Sequence, residues 1–226
     1  MIGCSRLGLI PEEHKQHLKE EFEAKLKDEV RLVIFTQEVE CADCRETREL
    51  VQEIAELSNK IKAGIHNFVK DDEKAKEYKI NKVPAVAMTG KKDYGIRYHG
   101  VPLGYEFKAF IDNIINISKG ATNLTEETKR KLKSISKPVQ IQVFVTLTCP
   151  YCPTAASLAH KFALENDLVR ADVVDVSEFP HLGQKYSVMG VPKTVINEQI
   201  EIVGAVPEAQ LIAHVLHAQK PPTIYM

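Results

Sequence analysis

The chain has 226 residues, 44% of them apolar, with 30 basic against 31 acidic side chains and a formal net charge of −1. This size suits one large domain or two small ones; the charge balance argues against a nucleic-acid surface, and no stretch nears the ~18 apolar residues that span a bilayer. The start, MIGCSRLGLIPEEHK, has no hydrophobic core of a secretory signal, so the expected compartment is the cytoplasm, where paired cysteines are more often catalytic or metal-binding than structural.

A charged amphipathic helix is expected near 11–27, followed by a nearly continuous apolar strand over 30–37. Cys41 and Cys44 come next, then a helix with Leu50, Val51, Ile54 and Leu57 on one face. A strand over 63–69, a charged helical stretch at 70–79, Val83-Pro84 and a strand over 84–88 follow. An edge-like strand (94–98) and a helix carrying Phe107, Phe110, Ile111 and Ile114 end this series. The segment 118–124, SKGATNL, reads as a linker. The series then restarts. Thr125 caps a helix over 125–135, a strand covers 139–147, and Cys149 and Cys152 precede a helix with Ala155, Leu158, Ala159 and Phe162 on one face. A strand over 169–176, Val191-Pro192, strands over 192–196 and 199–203, and a helix with Leu211, Ile212, Val215 and Leu216 complete it. Pro221 and Pro222 mark 219–226 as a tail.

The restart is a repeat. Cys41 and Cys149, Cys44 and Cys152, Tyr78 and Tyr186, and Val83-Pro84 and Val191-Pro192 each stand 108 residues apart. Four landmarks in one register imply duplication into two units of ordinary domain size. The expected fold class is α/β, with domains 1–118 and 119–226, each a mixed four-stranded sheet flanked by helices with an extra helix at its start. Short crossovers imply a right-handed parallel pair in each unit, the last two strands form a hairpin, and helix 125–135 is placed at the seam.

Two cysteines separated by two residues can clip a metal, staple a loop or exchange electrons with other sulfurs. A staple within one helical turn removes little chain entropy. Two pairs do make the ligand set of a zinc site or an iron–sulfur scaffold, and a non-catalytic metal-binding protein is the alternative reading. However, the pairs lie in separate repeat copies, whereas zinc pairs sit close in sequence. Disulfide exchange needs a thiolate, which a helix N-terminus favours. With Cys41 and Cys149 at helix starts and Pro150 at the first helical position, these two are the nucleophiles; Cys44 and Cys152, a turn behind, are the resolving thiols. The first pair has Glu38, Glu40 and Asp43 nearby, with Arg45 and Arg48 beyond; the second has no charge within five residues. Cys149 is therefore expected to be the more reactive.

A strand running into CxxC, with Val-Pro about forty residues later, resembles the thioredoxin fold, and TCPYC resembles the glutaredoxin form. Two such units in tandem resemble the protein disulfide oxidoreductases of thermophilic archaea and bacteria. The amino-terminal region of the alkyl hydroperoxide reductase flavoprotein has a similar doubled fold with a single CxxC. The resemblance implies two tandem thioredoxin-like domains that reduce, form or isomerise protein disulfides. It also implies Pro84 and Pro192 as cis residues beside the cysteines, with Val83 and Val191 presenting backbone to substrate. Sequence alone would make both bonds trans, since cis is adopted by about 5–6% of X-Pro bonds. The implied partners are protein disulfide substrates, a peroxiredoxin among them, and a thioredoxin-reductase-like flavoprotein as donor; no cofactor or metal is implied. Two family features are missing: Phe35 and Val143 stand where many thioredoxins carry a buried acid, and there is no Trp. The eight histidines lack ligand spacing, Tyr78 and Tyr186 read as packing residues, and Cys4 as an incidental thiol.

Overall fold

The computed structural model describes residues 8–219; Cys4 and the proline-containing tail lie outside them. In chain order the first unit consists of α1 (Glu12–Lys25), β1 (Val30–Thr36), α2 (Cys44–Glu56), β2 (Ile61–Asn67), α3 (Asp72–Glu77), β3 (Ala85–Thr89), β4 (Asp93–His99) and α4 (Glu106–Lys119). The second repeats the order with α5 (Glu126–Lys133), β5 (Val139–Val145), α6 (Cys152–Glu165), β6 (Val169–Asp175), α7 (Pro180–Lys185), β7 (Lys193–Ile196), β8 (Ile200–Val203) and α8 (Glu208–His217). Gly120, in the left-handed conformation, ends α4, and coil to Thr125 links the units. Thr125 caps α5 through the Thr128 N–H, as its sequence position suggests.

Burial explains these elements. β1 and β5 bury every side chain except Arg31 and Gln140, as central strands covered on both faces do. Helix α2 buries Leu50, Val51 and Ile54, and α6 buries Ala155, Ala159 and Phe162. Tyr78 and Tyr186 pack into small apolar clusters around Phe35 and Phe144.

The units do not keep separate sheets. One eight-stranded sheet runs β2-β1-β3-β4-β6-β5-β7-β8. Within each half the first two strands are parallel and the last two antiparallel, as expected. The halves join where β4 pairs in parallel with β6, Ile96 opposite Ala171 and His99 opposite Val174. Thus β4, expected as an edge strand, is interior, and the edges of the sheet are β2 and β8. The seam is also not where helix 125–135 was placed: α5 packs on α8 and α6 of its own unit, while α4 packs on α6 across the boundary.

Charged side chains line the seam. Arg97, 1% exposed, donates to Asp93 at 2.5 Å and to the Tyr78 carbonyl at 3.0 Å. Asp172 accepts from Arg170 at 2.7 Å and Gln140 at 2.9 Å and contacts His99 Nε2 at 3.2 Å. Burial would raise the Asp172 carboxyl; His99 and Arg170 outweigh it and hold it well below the usual range. On the other face of the sheet His160 bonds to Asn113 at 2.7 Å and to the Arg97 carbonyl at 3.1 Å. Burial pushes both His99 and His160 down to about 4.

Candidate active site

The C-terminal ends of β1 and β5 deliver the cysteines to the same end of the sheet. Helices α2 and α6 begin at Cys44 and Cys152, not at the first cysteines. Cys41 and Cys149 therefore sit ahead of the helix, and Pro150 precedes it rather than opening it, although a proline does fall in the first turn, at Pro153. The reason is local: Cys149 N–H bonds back to the Thr146 carbonyl at 3.2 Å, a turn that postpones the helix. The placement still puts the sulfur on the helix terminus. The Cys152 N–H, one of the first free donors of α6, points at Cys149 Sγ at 3.2 Å.

In the second site both thiols are free, and Cys149 is 8% exposed against 0% for Cys152. Cys149 Sγ lies 3.7 Å from the Val191 carbonyl, and Val191-Pro192 is cis. Burial, then the hydrogen bond with Cys149, pushes the Cys152 thiol far up. In the first site Cys41 and Cys44 form a disulfide with Cα atoms 5.5 Å apart. Cys44, 3% exposed, accepts the Gln37 N–H at 3.3 Å. Val83-Pro84 is cis, and Val83 shares a groove of about 710 Å³ with Cys41. The four cysteines thus form two separate pairs; among the described residues no group of three or more His, Cys, Asp or Glu converges as a metal site.

Sequence spacing missed the acid behind the second site. Glu106 opens α4 of the first unit, is 1% exposed, and both its carboxyl oxygens are buried without a hydrogen-bond partner. Burial, then the nearby Asp175, pushes it up to about 8. Its charge bears on Cys152 and on Tyr98, whose buried hydroxyl also lacks a partner. The approach depends on Gly104: with φ +57, any Cβ there would collide with the Leu147 carbonyl, which accepts the Tyr105 N–H at 3.0 Å. The second site is therefore completed by the first unit. Asp175 accepts the Ser177 N–H at 2.9 Å, and Phe179 occupies the N-cap of α7.

The chain resembles a crystal structure of a protein disulfide oxidoreductase from Aeropyrum pernix, with a TM-score of 0.87 and 30% identity over 92% of this chain and 93% of that one. The N-terminal domain of alkyl hydroperoxide reductase AhpF from Enterococcus faecalis matches with a TM-score of 0.84 and 27% identity, over 91% of this chain and 99% of that one. The F component of alkyl hydroperoxide reductase from Xanthomonas campestris pv. phaseoli is 24% identical over 199 residues, 87% of this chain and 36% of that protein. The chain spans about a third of the length of such curated relatives. A model of the thioredoxin domain matches twice, at 30–112 and 139–217. With both copies of the fold carrying a CxxC at the start of a helix, the chain belongs to the thioredoxin-domain family.

Proposed function

We propose that the protein is a dithiol–disulfide oxidoreductase that reduces disulfides in other proteins, with Cys149 and Cys41 as nucleophiles and Cys152 and Cys44 as resolving thiols. The observation that carries this reading is the Cys152 N–H aimed at Cys149 Sγ, with a buried second thiol directly behind it. Cys149 as thiolate attacks one sulfur of a substrate disulfide, and the other leaves as a thiolate and takes a proton. Cys152 then gives up its proton, attacks Cys149 Sγ and releases the second substrate thiol. Two electrons pass from the pair to the substrate, and Cys149–Cys152 becomes a disulfide. A buried thiol pushed so far up needs a nearby proton acceptor, and Glu106 supplies it, in the role that neither Phe35 nor Val143 could fill. Val83-Pro84 and Val191-Pro192 present backbone beside the attacking sulfurs.

The second site is the more reactive of the two. Asp43 lies between the cysteines of the first, so a thiolate there meets a carboxyl that disfavours it, and burial, then nearby Asp43, pushes the Glu178 carboxyl up to about 8. Reducing equivalents would enter from a thioredoxin-reductase-like flavoprotein and leave toward protein disulfides, peroxiredoxins included; similarity to AhpF over the doubled domain supports such a relay. The chemistry suits a cytoplasmic protein, whose compartment keeps the thiols reduced. Insulin reduction with a flavoprotein reductase, and then glutathione, as donor tests the reading. Cys149→Ser should abolish most turnover and Cys41→Ser a smaller part. Full activity in the Cys41→Ser/Cys149→Ser double variant would overturn it.

A further inference from the structure

The Tyr98 hydroxyl and both carboxyl oxygens of Glu106 are buried without a hydrogen-bond partner among the described residues, in side chains 2% and 1% exposed. Packing brings them to one place. The Tyr98 ring meets Phe110 edge-on, with centroids 6.0 Å apart, and Glu106 lies one turn before Phe110 on the same side of α4. Helix α6 packs on both α4 and β4, so Cys152 at its start shares one core with Tyr98 and Phe110. Asp175 closes the other side: a Cβ on Gly100, two residues after Tyr98, would stand 2.9 Å from that of Asp175. A buried hydroxyl and a buried carboxyl left unpaired each forfeit the hydrogen bonds they make in water. One water between them satisfies a donor and an acceptor together.

We propose that Tyr98 donates through one bound water to Glu106, and that this link keeps the carboxyl ionised when Cys152 must lose its proton. The inference rests on Glu106 as the proton acceptor of the second site. In the release step the Cys152 proton passes to the Glu106 carboxylate and the new thiolate attacks Cys149 Sγ. The bond from Cys149 to the substrate sulfur breaks, and its electron pair leaves with the substrate. Tyr98 keeps its own proton throughout, because burial, then Glu106, push its hydroxyl well above the usual value. It is a positioning residue. The other groups packed around α4 leave this role to Tyr98. From β1 and β3 come the apolar Leu32, Ile34, Val86 and Met88. Lys108 and Asp112 pair with each other, and Lys108 acts on Glu21 of α1. His160 of α6 is held by Asn113 and the Arg97 carbonyl, and Asp175 of β6 adds negative charge.

The test uses reduced full-length protein with Cys4, Cys41 and Cys44 changed to serine, so that only the second site reacts. It is mixed with excess disulfide peptide, and acid-quenched samples are resolved by mass spectrometry. Decay of the Cys149 mixed disulfide gives the release rate, followed from about pH 5.5 to about pH 10. Tyr98→Phe removes a hydrogen bond to the ionised carboxyl, so the midpoint of the release profile should rise by about one pH unit. Release near pH 7 should then slow about tenfold, while the alkaline plateau stays within about twofold. In Glu106→Gln protein the same substitution should move nothing. A crystal structure of the reduced protein should show one water bonded to both Tyr98 Oη and the Glu106 carboxyl. Slower release at every pH with the midpoint unmoved marks a structural tyrosine and overturns the inference. An equal shift in Glu106→Gln protein, or no such water, overturns it as well. Should Glu106→Gln alone leave the profile intact, the proton-acceptor reading falls and this inference with it.

Discussion

Replacing Glu106 by Gln should make the protein more stable and less active, a combination that separates a proton acceptor from a structural residue. The carboxyl is pushed from 4.5 up to about 8 in the folded chain. Folded protein therefore holds a proton that unfolded protein has lost between those values, and stability falls as pH rises through that window. The full shift corresponds to a ceiling of about 5 kcal/mol at pH 8 and above, at about 1.4 kcal/mol per unit. Relaxation and water entry would reduce it to about half. Glutamine keeps the shape without the charge, so urea denaturation of the reduced protein should show Glu106→Gln more stable by about 2–5 kcal/mol at pH 8.5 and equal to wild type at pH 4.5. In single-turnover reduction of a peptide disulfide, release of the second thiol should slow by about a hundredfold, the lower range for loss of a general base. Equal stability at both pH values would refute the buried ionisation. An unchanged release rate would refute the proton-acceptor role.

Stability of the reduced protein should be highest between about pH 4.5 and 6.5. His99 and His160, pushed down to about 4, cost stability as pH falls from 6.5, because the unfolded imidazoles gain protons first. Glu106 and Glu178, pushed up to about 8, cost it as pH rises from 4.5. The four roughly cancel in the overlap, so denaturation midpoints should drop on both sides; a monotonic rise to pH 8 would contradict this. Cys149 in the Cys152→Ser variant should be alkylated by iodoacetamide faster at pH 7 than Cys41 in the Cys44→Ser variant, and the reverse order would remove the proposed ranking of the sites. Gly104→Ala should cost at least about 2 kcal/mol, from the left-handed backbone and the Leu147 contact together; calorimetry with no shift would show that the approach of α4 to the second site is not tight.

Repetition made most of the fold legible. The shared register of the cysteines, tyrosines and Val-Pro pairs located equivalent strands and helices, and the apolar faces of α2, α4, α6 and α8 are the buried ones. What escaped was everything created between the units. Along β4, Tyr94, Ile96 and Tyr98 alternate with Arg97 and His99, a pattern that reads as one wet face. That face is buried because Asp93 and Asp172 meet its charges, and a partner so distant in sequence leaves no periodic trace. Glu106 escaped for the same reason. An acid in the first turn of a helix reads as a solvated complement to the dipole, and only Gly104 just before it hinted at a close backbone approach. The helix starts were misplaced by one turn because Pro150 fits a first helical position as well as it fits the turn that Thr146 and Cys149 close.

Trapping the mixed disulfide tests the central claim most directly. Reduced Cys152→Ser protein with Cys4 and the first pair also changed to serine, mixed with a disulfide peptide, should accumulate one covalent adduct at Cys149, located by mass spectrometry and released by dithiothreitol. The matching Cys149→Ser protein, left with Cys152 alone, should form none. Adduct on Cys152, or on neither cysteine, would contradict the account.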